Sequence, residues 1–517
     1  MRDGIKLATD IYLPDGPGPF PTVLARTPYN KDAGASLGAD GAKRGYAMVF
    51  QDTRGRFASE GENLPFEFDG WDKHWDGFDT IEWVRQQPWC NGKIGTWGGS
   101  ALGITQLLMA GAGARGVTCQ HITVGVPSLY CGIYPGGVFK KAMIEDWLRL
   151  ANFSTNALVL WTSHPRHDGY WQQRELNRRW NRVNCPAVHV GGWYDIFAQG
   201  TLEAFVGYQT KGSPLARGRQ RLLMGPWTHG VLTDKAGDLT FPNAKKPPTS
   251  SHDAWRWYEF QLKGLTNGLE REPAVTYYVM GDVSDTNAPG NVWRTAGQWP
   301  PLPAKPTRYY FQADRTLSAT APGQAQPITY TYDPKNPAPT AGGPQLTIPA
   351  GPKDQRQVES RADVLVFTSE PLAAPLEVTG RVQVQLWAAS DAPDTDFFGK
   401  LCDVYPDGRS FNVCEGQIRA RFRNSFDKEQ LLKPGKVYPF AIDLWSTSII
   451  FNRGHRLRVQ VTSSSSPGYD PNPNTGEPFR ASDRTQIAHN SVYVDARHPS
   501  HIVLPVVGEG ASGKARK

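Results

Sequence analysis

The stretch Lys93-Ile94-Gly95-Thr96-Trp97-Gly98-Gly99-Ser100-Ala101-Leu102-Gly103 decides how this 517-residue chain is read. Its first half is a short apolar strand, and the run Ile104 to Met109 behind it is helical. Between the two, a pair of glycines passes into a serine. Glycine reaches backbone conformations that a side chain obstructs, and Gly103 lets the new helix lie close to the sheet. The pattern therefore predicts a sharp strand-to-helix turn with the Ser100 hydroxyl at its tip. A serine presented in this way is a candidate nucleophile, and a hydrolase is the expectation.

The bare motif does not single Ser100 out. Gly34-Ala35-Ser36-Leu37-Gly38 fits G-x-S-x-G more strictly, because the glycine after Ser100 comes one place late. Ser36, however, follows the polar stretch Asn30-Lys31-Asp32-Ala33 rather than a strand, and is expected to be a loop serine.

A serine hydroxyl is a poor nucleophile until a base takes its proton, and the base needs an acid to fix its tautomer. Behind a strand-turn-helix serine the two partners follow in the order Asp, His. The apolar run Ala187 to Gly192 delivers Trp193-Tyr194-Asp195, and Arg221 to Gly225 delivers Pro226-Trp227-Thr228-His229. In an open parallel sheet, functional groups collect beyond the carboxyl ends of strands. Ser100, Asp195 and His229 all fall there. An Asp in such a place also serves as a helix cap. His164 and His167 form an H-x-x-H pair without Cys or carboxylate ligands in the pattern, so no metal is assigned.

Taken together, these residues resemble the cocaine esterase and Xaa-Pro dipeptidyl peptidase family of α/β-hydrolases, the CocE/NonD group. The likeness spans nearly the whole chain. It runs through Met1-Arg2-Asp3-Gly4, Ile11-Tyr12-Leu13-Pro14, Arg26-Thr27-Pro28-Tyr29, Gln51-Asp52-Thr53-Arg54-Gly55, Ser59-Glu60-Gly61, the Ser100 turn, the Asp195 and His229 segments, and His498-Pro499-Ser500-His501. The family's turn is G-x-S-x-x-G, which Gly98, Ser100 and Gly103 satisfy. The resemblance implies an oxyanion hole made of the Ala101 backbone N–H and the Tyr29 hydroxyl, where one donor contributes about 2.7–4 kcal/mol to the barrier. Many relatives carry a bulky aromatic after the serine. Ala101 leaves the backbone donor intact and changes only the pocket wall.

A chain of this length exceeds a single core, so on the order of two or three domains are expected. Residues 1–131 alternate strands (Thr22 to Ala25, Tyr46 to Gln51) with helices (Phe78 to Gln87, Leu102 to Met109), the pattern of a parallel sheet. Within 132–182, Phe139, Met143, Trp147 and Leu150 recur at helical spacing, and a helical cap over the site is expected. The sheet resumes over 183–301, with a helix at Trp255 to Leu262 and an edge strand at Ala274 to Gly281. Over 302–517, Arg381 to Trp387 and Arg456 to Val461 alternate strictly, which predicts an antiparallel sandwich. The resemblance implies a jelly roll that helps wall the pocket, with Asp394-Thr395-Asp396-Phe397-Phe398 as the candidate contact. Trp147, Phe197, Phe397 and Phe398 are the residues expected to line that pocket.

The net charge of +7 is scattered apart from the tail Gly513-Lys514-Ala515-Arg516-Lys517, which reads as a disordered end, and no clustered basic face suggests nucleic acid. No run reaches the roughly 18 apolar residues of a membrane span, and no apolar signal segment follows Met1, although relatives place a further strand before this start. The six cysteines are too few and too spread for a disulfide scaffold, and free thiols are expected. Cys402 and Cys414 flank Pro406-Asp407-Gly408 and are placed to face each other across a hairpin.

The chemistry expected is acyl transfer without a cofactor on a small-molecule ester or amide, in a monomer or homodimer. Recognising a free ammonium requires carboxylates, since an unpaired buried charge is costly; amino ester hydrolases of the family place such acids after the catalytic Asp. Here Ile196, Phe197 and Ala198 follow instead. Uncharged aromatic or medium-chain esters are therefore the expected substrates, ahead of Xaa-Pro peptides, amides or β-lactams. An aromatic-rich sandwich also leaves room for a carbohydrate-binding protein.

Overall fold

Apolar runs too short to cross a helix bundle pair here into one nine-stranded sheet. Its strands are β1 (Thr9–Tyr12), β2 (Phe20–Thr27), β3 (Ala47–Asp52), β4 (Cys90–Gly99), β5 (Val117–Thr123), β6 (Ala187–Gly192), β7 (Arg221–Gly225), β10 (Val275–Val279) and β11 (Val292–Ala296); a short hairpin, β8 (Lys235–Ala236) and β9 (Leu239–Thr240), stands apart. The computed structural model describes residues 1–301 and 303–508; the boundary residue Leu302 and the basic tail lie outside the described residues. The spatial order is β1-β3-β2-β4-β5-β6-β7-β10-β11. All neighbours are parallel except the edge strands β1 and β11. Strands β3 and β6 are buried at every position because helices cover both faces. Those helices include α1 (Ala35–Lys43), α2 (Asp76–Arg85), α3 (Ala101–Ala112), α8 (Ala198–Lys211) and α9 (Ala254–Gln261).

Ser36 is a correction. It lies on the exposed face of α1, not in a loop, because the Asn30 side chain accepts the Asp32 N–H and starts a turn, Lys31–Gly34, that runs straight into the helix.

Four short helices, α4 (Leu129–Ile133), α5 (Lys141–Leu150), α6 (Thr155–Thr162) and α7 (Gly169–Gln172), follow the serine helix. Phe139, Met143, Trp161 and Trp171 form one apolar cluster with Ile104 and Leu108 of α3, so cap and serine helix share a core. Two members of the expected stripe depart from it: Phe139 precedes α5, and Leu150 is 68% exposed at its end. No helix among the described residues is long and apolar enough to cross a membrane.

The C-terminal part is a two-sheet antiparallel sandwich. One sheet is built on β12 (Ala304–Phe311), β13 (Leu317–Ser318), β14 (Ile328–Tyr332), β16 (Leu376–Ser390), β19 (Tyr438–Phe451), β21 (Ala488–Val492) and β22 (His501–Val507). The other is β15 (Leu365–Thr368), β20 (Arg456–Thr462), β17 (Asp396–Val404) and β18 (Ser410–Arg419). Val382, Val384 and Leu386 point inward and alternate with the more exposed Arg381, Gln383, Gln385 and Trp387. The sandwich is bonded to the first sheet: Met280 N–H donates to Ser448 O (2.9 Å) and Ile450 N–H to Met280 O (2.8 Å).

The hairpin between Cys402 and Cys414 forms, but the two thiols do not face each other. A bulge at Leu401/Cys402 pairs Cys414 with Leu401 and Cys402 with Asn412, and both thiols are free and buried.

The segment from Asp394 to Phe398 is structural. Asp396 accepts two 2.9 Å bonds from Arg419, Asp394 accepts one of 2.8 Å from Arg421, and Asn472 bridges both carboxylates. Both pairs are nearly solvent-free. Removing one member of such a pair leaves an uncompensated charge. Asp396→Ala, which strips Arg419 of its bonded carboxylate, should therefore cost about 3–5 kcal/mol in a denaturant titration, with Michaelis constants of the surviving folded enzyme unchanged.

Candidate active site

Strand β4 closes on Gly98, at φ +139°, and Gly99, and Ser100 follows at φ 56°, ψ −121°. A side-chain-bearing residue rarely adopts that conformation, and it persists only where the surroundings hold it. Here Ser100 N–H donates to Thr123 O of β5 (2.9 Å), while Ser100 O accepts from Ile104 N–H (2.9 Å) and opens α3. At Gly103 a Cβ would stand 3.1 Å from Thr123 O, so α3 passes too close to β5 for a larger residue to fit without displacement.

Strands β6 and β7 bring the other two side chains to the same rim. His229 Nε2 lies 2.8 Å from Ser100 Oγ, and His229 Nδ1 lies 2.6 Å from Asp195 Oδ2. Asp195 is fully buried, and its second oxygen accepts the Phe197 N–H at 2.8 Å. One oxygen thus closes a turn onto the Phe197 N–H while the other meets the imidazole; the N-cap of α8 is Phe197, so Asp195 is not that helix's cap. With a proton on Nδ1 held by Asp195, Nε2 is free to accept the serine proton.

Tyr29 follows β2, which lies directly beside β4 where the strand order reverses, the position at which open α/β sheets bind ligands. Its hydroxyl accepts the Trp147 indole N–H at 2.8 Å, which leaves its own proton available to donate. Desolvation raises its pKa; the Trp147 bond and the Arg56 charge pull the other way. Arg56 fixes this corner, donating to Pro28 O (2.8 Å) and to the carbonyls of Ala151 and Asn152 behind α5. Ala101 is the first residue of α3, so its N–H has no acceptor within the helix.

Ser100 opens on an apolar cavity of about 40 Å³ whose walls include Phe66, Ile104, Met143, Trp147, Trp161, Ile196, Phe197 and Leu346. Among the described residues, no ionisable side chain lines it. Trp147 and Phe197 are therefore at the cavity, and the Phe197 ring stands edge-on to His229 at 5.9 Å. Phe397 and Phe398 are corrections: neither lines the cavity. Strand alternation turns Phe397 into the sandwich core against Phe440, and sends Phe398 to the opposite face, against Tyr469 and Val138. The sandwich reaches the cavity through Leu346 instead, in a loop with no periodicity to mark it. Phe66, at φ 62° in another irregular loop, gave no sequence signal either. His164 and His167 each take a separate carboxylate, Asp168 at 2.7 Å and Glu175 at 2.8 Å.

A serine at the tip of a strand-to-helix turn, with Asp and His beyond later strands of the same parallel sheet, defines an α/β-hydrolase. Comparison with known proteins narrows the class. The X-Pro dipeptidyl-peptidase (S15 family) profile matches residues 3–158 and 151–231, and that of the X-Pro dipeptidyl-peptidase C-terminal non-catalytic domain matches residues 267–503. The chain is 34% identical to the cocaine esterase of Rhodococcus sp. (strain MB1 Bresler), over 98% of this chain and 97% of that protein. Its structure resembles an aminopeptidase from a marine sediment Thaumarchaeota archaeon (TM-score 0.82, 26% identity, 98% and 95% of the two chains). It also resembles an α-amino acid ester hydrolase (TM-score 0.81, 27% identity, 98% and 95%). The chain belongs to the cocaine esterase and S15 family of α/β-hydrolases.

Proposed function

We propose that this hydrolase cleaves uncharged carboxylic esters by acyl transfer through Ser100, His229 and Asp195. His229 removes the Ser100 proton as the hydroxyl oxygen attacks the ester carbonyl, and Asp195 orients and stabilises the resulting imidazolium. The carbonyl oxygen, now negative, is received by the Tyr29 hydroxyl and the Ala101 N–H. His229 then gives its proton to the departing alkoxide, leaving the acyl group on Ser100. Water, deprotonated by the same imidazole, attacks that acyl carbon and restores the serine.

The observation that carries the substrate class is the wall of the cavity beside Ser100, which offers aromatic and aliphatic groups and no carboxylate. An acyl group bearing an ammonium would enter with its charge unpaired. Aromatic or medium-chain acyl groups fit the chemistry of the walls. By volume, a cavity of about 40 Å³ falls well below the ~150 Å³ of an engineered cavity that accepts benzene. An aromatic acyl group therefore enters only as the walls yield or as part of it extends beyond the cavity.

The test is a panel of p-nitrophenyl esters, from acetate to octanoate and benzoate, run beside aminoacyl-proline anilides. Esters should be cleaved much faster; faster release from the anilides would replace this reading with a peptidase. Tyr29→Phe should lower kcat by about 10²–10³-fold with KM little changed, the usual size for one oxyanion donor. An unaltered kcat would remove Tyr29 from the oxyanion hole.

A further inference from the structure

One ionisable side chain close to the site takes no part in the steps above. Lys140, between the cap's 3-10 turn and α5, is 1% exposed. Its ammonium donates to Ile196 O at 3.3 Å and to Pro344 O at 3.4 Å, and stands 5.4 Å from the centre of the Trp445 ring. The three partners come from three parts of the molecule. Ile196 follows Asp195 directly, Pro344 leads to Leu346 at the cavity, and Trp445 lies on β19 of the sandwich. Among the described residues, no carboxylate is hydrogen-bonded to this cation. A buried charge held only by carbonyls and a ring face is expensive, and aliphatic replacements of such groups are often neutral or stabilising. Its presence therefore calls for a reason other than stability.

We propose that Lys140 is a positioning residue for the acid arm of the site, fixing the Asp195–Phe197 loop through the Ile196 carbonyl. The proposal rests on the reading of Asp195 and His229 as acid and base. The ionised groups that bear on Lys140 are Asp195 on the acid loop and Glu415 on β18, the latter paired with Lys400 at 3.2 Å. Burial outweighs the attraction of both and brings the Lys140 pKa down to about 8. The ammonium is thus present through the neutral range and lost above it. While present, it holds the Ile196 carbonyl by a charge-assisted bond; the neutral amine holds that carbonyl less firmly.

The experiment is the pH profile of kcat/KM on a p-nitrophenyl ester for wild type, Lys140→Met and Lys140→Arg, with Ser100→Ala alongside and folding checked by circular dichroism. Lys140→Met should lower kcat/KM by about tenfold or more through misplacement of the acid loop. Lys140→Arg, which keeps a donor and a charge, should recover part of that loss. Wild type should show a second inflection near pH 8 that both variants lack, a readout that holds even if one variant does not fold. A Lys140→Met variant with wild-type kcat/KM, or a wild-type profile without that inflection, overturns the proposal. Turnover by Ser100→Ala would instead overturn the site reading beneath it, so the two failures are distinguishable.

Discussion

Ser100→Ala should remove ester turnover, lowering kcat by about 10⁶-fold, the scale set by loss of the nucleophile in a serine triad. The expectation follows from geometry. Among the groups that meet at the cavity, the Ser100 hydroxyl is held 2.8 Å from an imidazole nitrogen that can take its proton. Alanine keeps the Cβ and so keeps the turn's backbone demand; the variant should melt within a degree or two of wild type. A residual rate of about 10³–10⁴ over water from the remaining donors and binding surface is compatible with this account. Turnover within tenfold of wild type, measured by p-nitrophenolate release from purified protein, would transfer the nucleophile's role elsewhere.

Asp195→Asn should be nearly as damaging, at about 10⁴-fold in kcat. The neighbouring hydrogen bond dictates how the amide sits. The Phe197 N–H, now bonded to Oδ1 at 2.8 Å, requires an acceptor there, so the asparagine oxygen takes that place and its NH₂ faces His229. The imidazole must then carry its proton on Nε2, where it can no longer accept one from Ser100. A mild loss would point to another acid. Recovery of activity in Asp195→Glu, with none in the asparagine variant, would support a requirement for negative charge.

Much of the hydrolase half was legible because its signals are local. Short apolar runs bounded by glycine and proline mark the strands on which Ser100, Asp195 and His229 depend, and the parallel sheet needs only their order to bring the three side chains to one rim. The sandwich was legible as a class for the same reason, since Arg381 to Trp387 alternates as a strand with one wet face must. Contacts between distant parts were not legible. Period-two alternation says that Phe397 is inside or outside a sheet but not which loop of the sandwich meets the serine, and the answer, Leu346, lies in an irregular segment. Lys140 was equally silent, because a lysine in a sequence reads as a solvated surface charge until its neighbours are known. Ser36 shows the limit at short range: a polar stretch passed for a loop when one asparagine cap was enough to turn it into the approach to a helix.

The guanidinium of Arg56 grips the Pro28 carbonyl on one side and the carbonyls of Ala151 and Asn152 on the other. A cap anchored in this way cannot hinge outward as a rigid flap without dragging the tyrosine's backbone along with it. Entry to the cavity is then gained by rotating individual rings, and a visitor too large for that route would displace Tyr29, the proposed oxyanion donor, on its way in. Size exclusion and catalytic competence are in that sense mechanically linked.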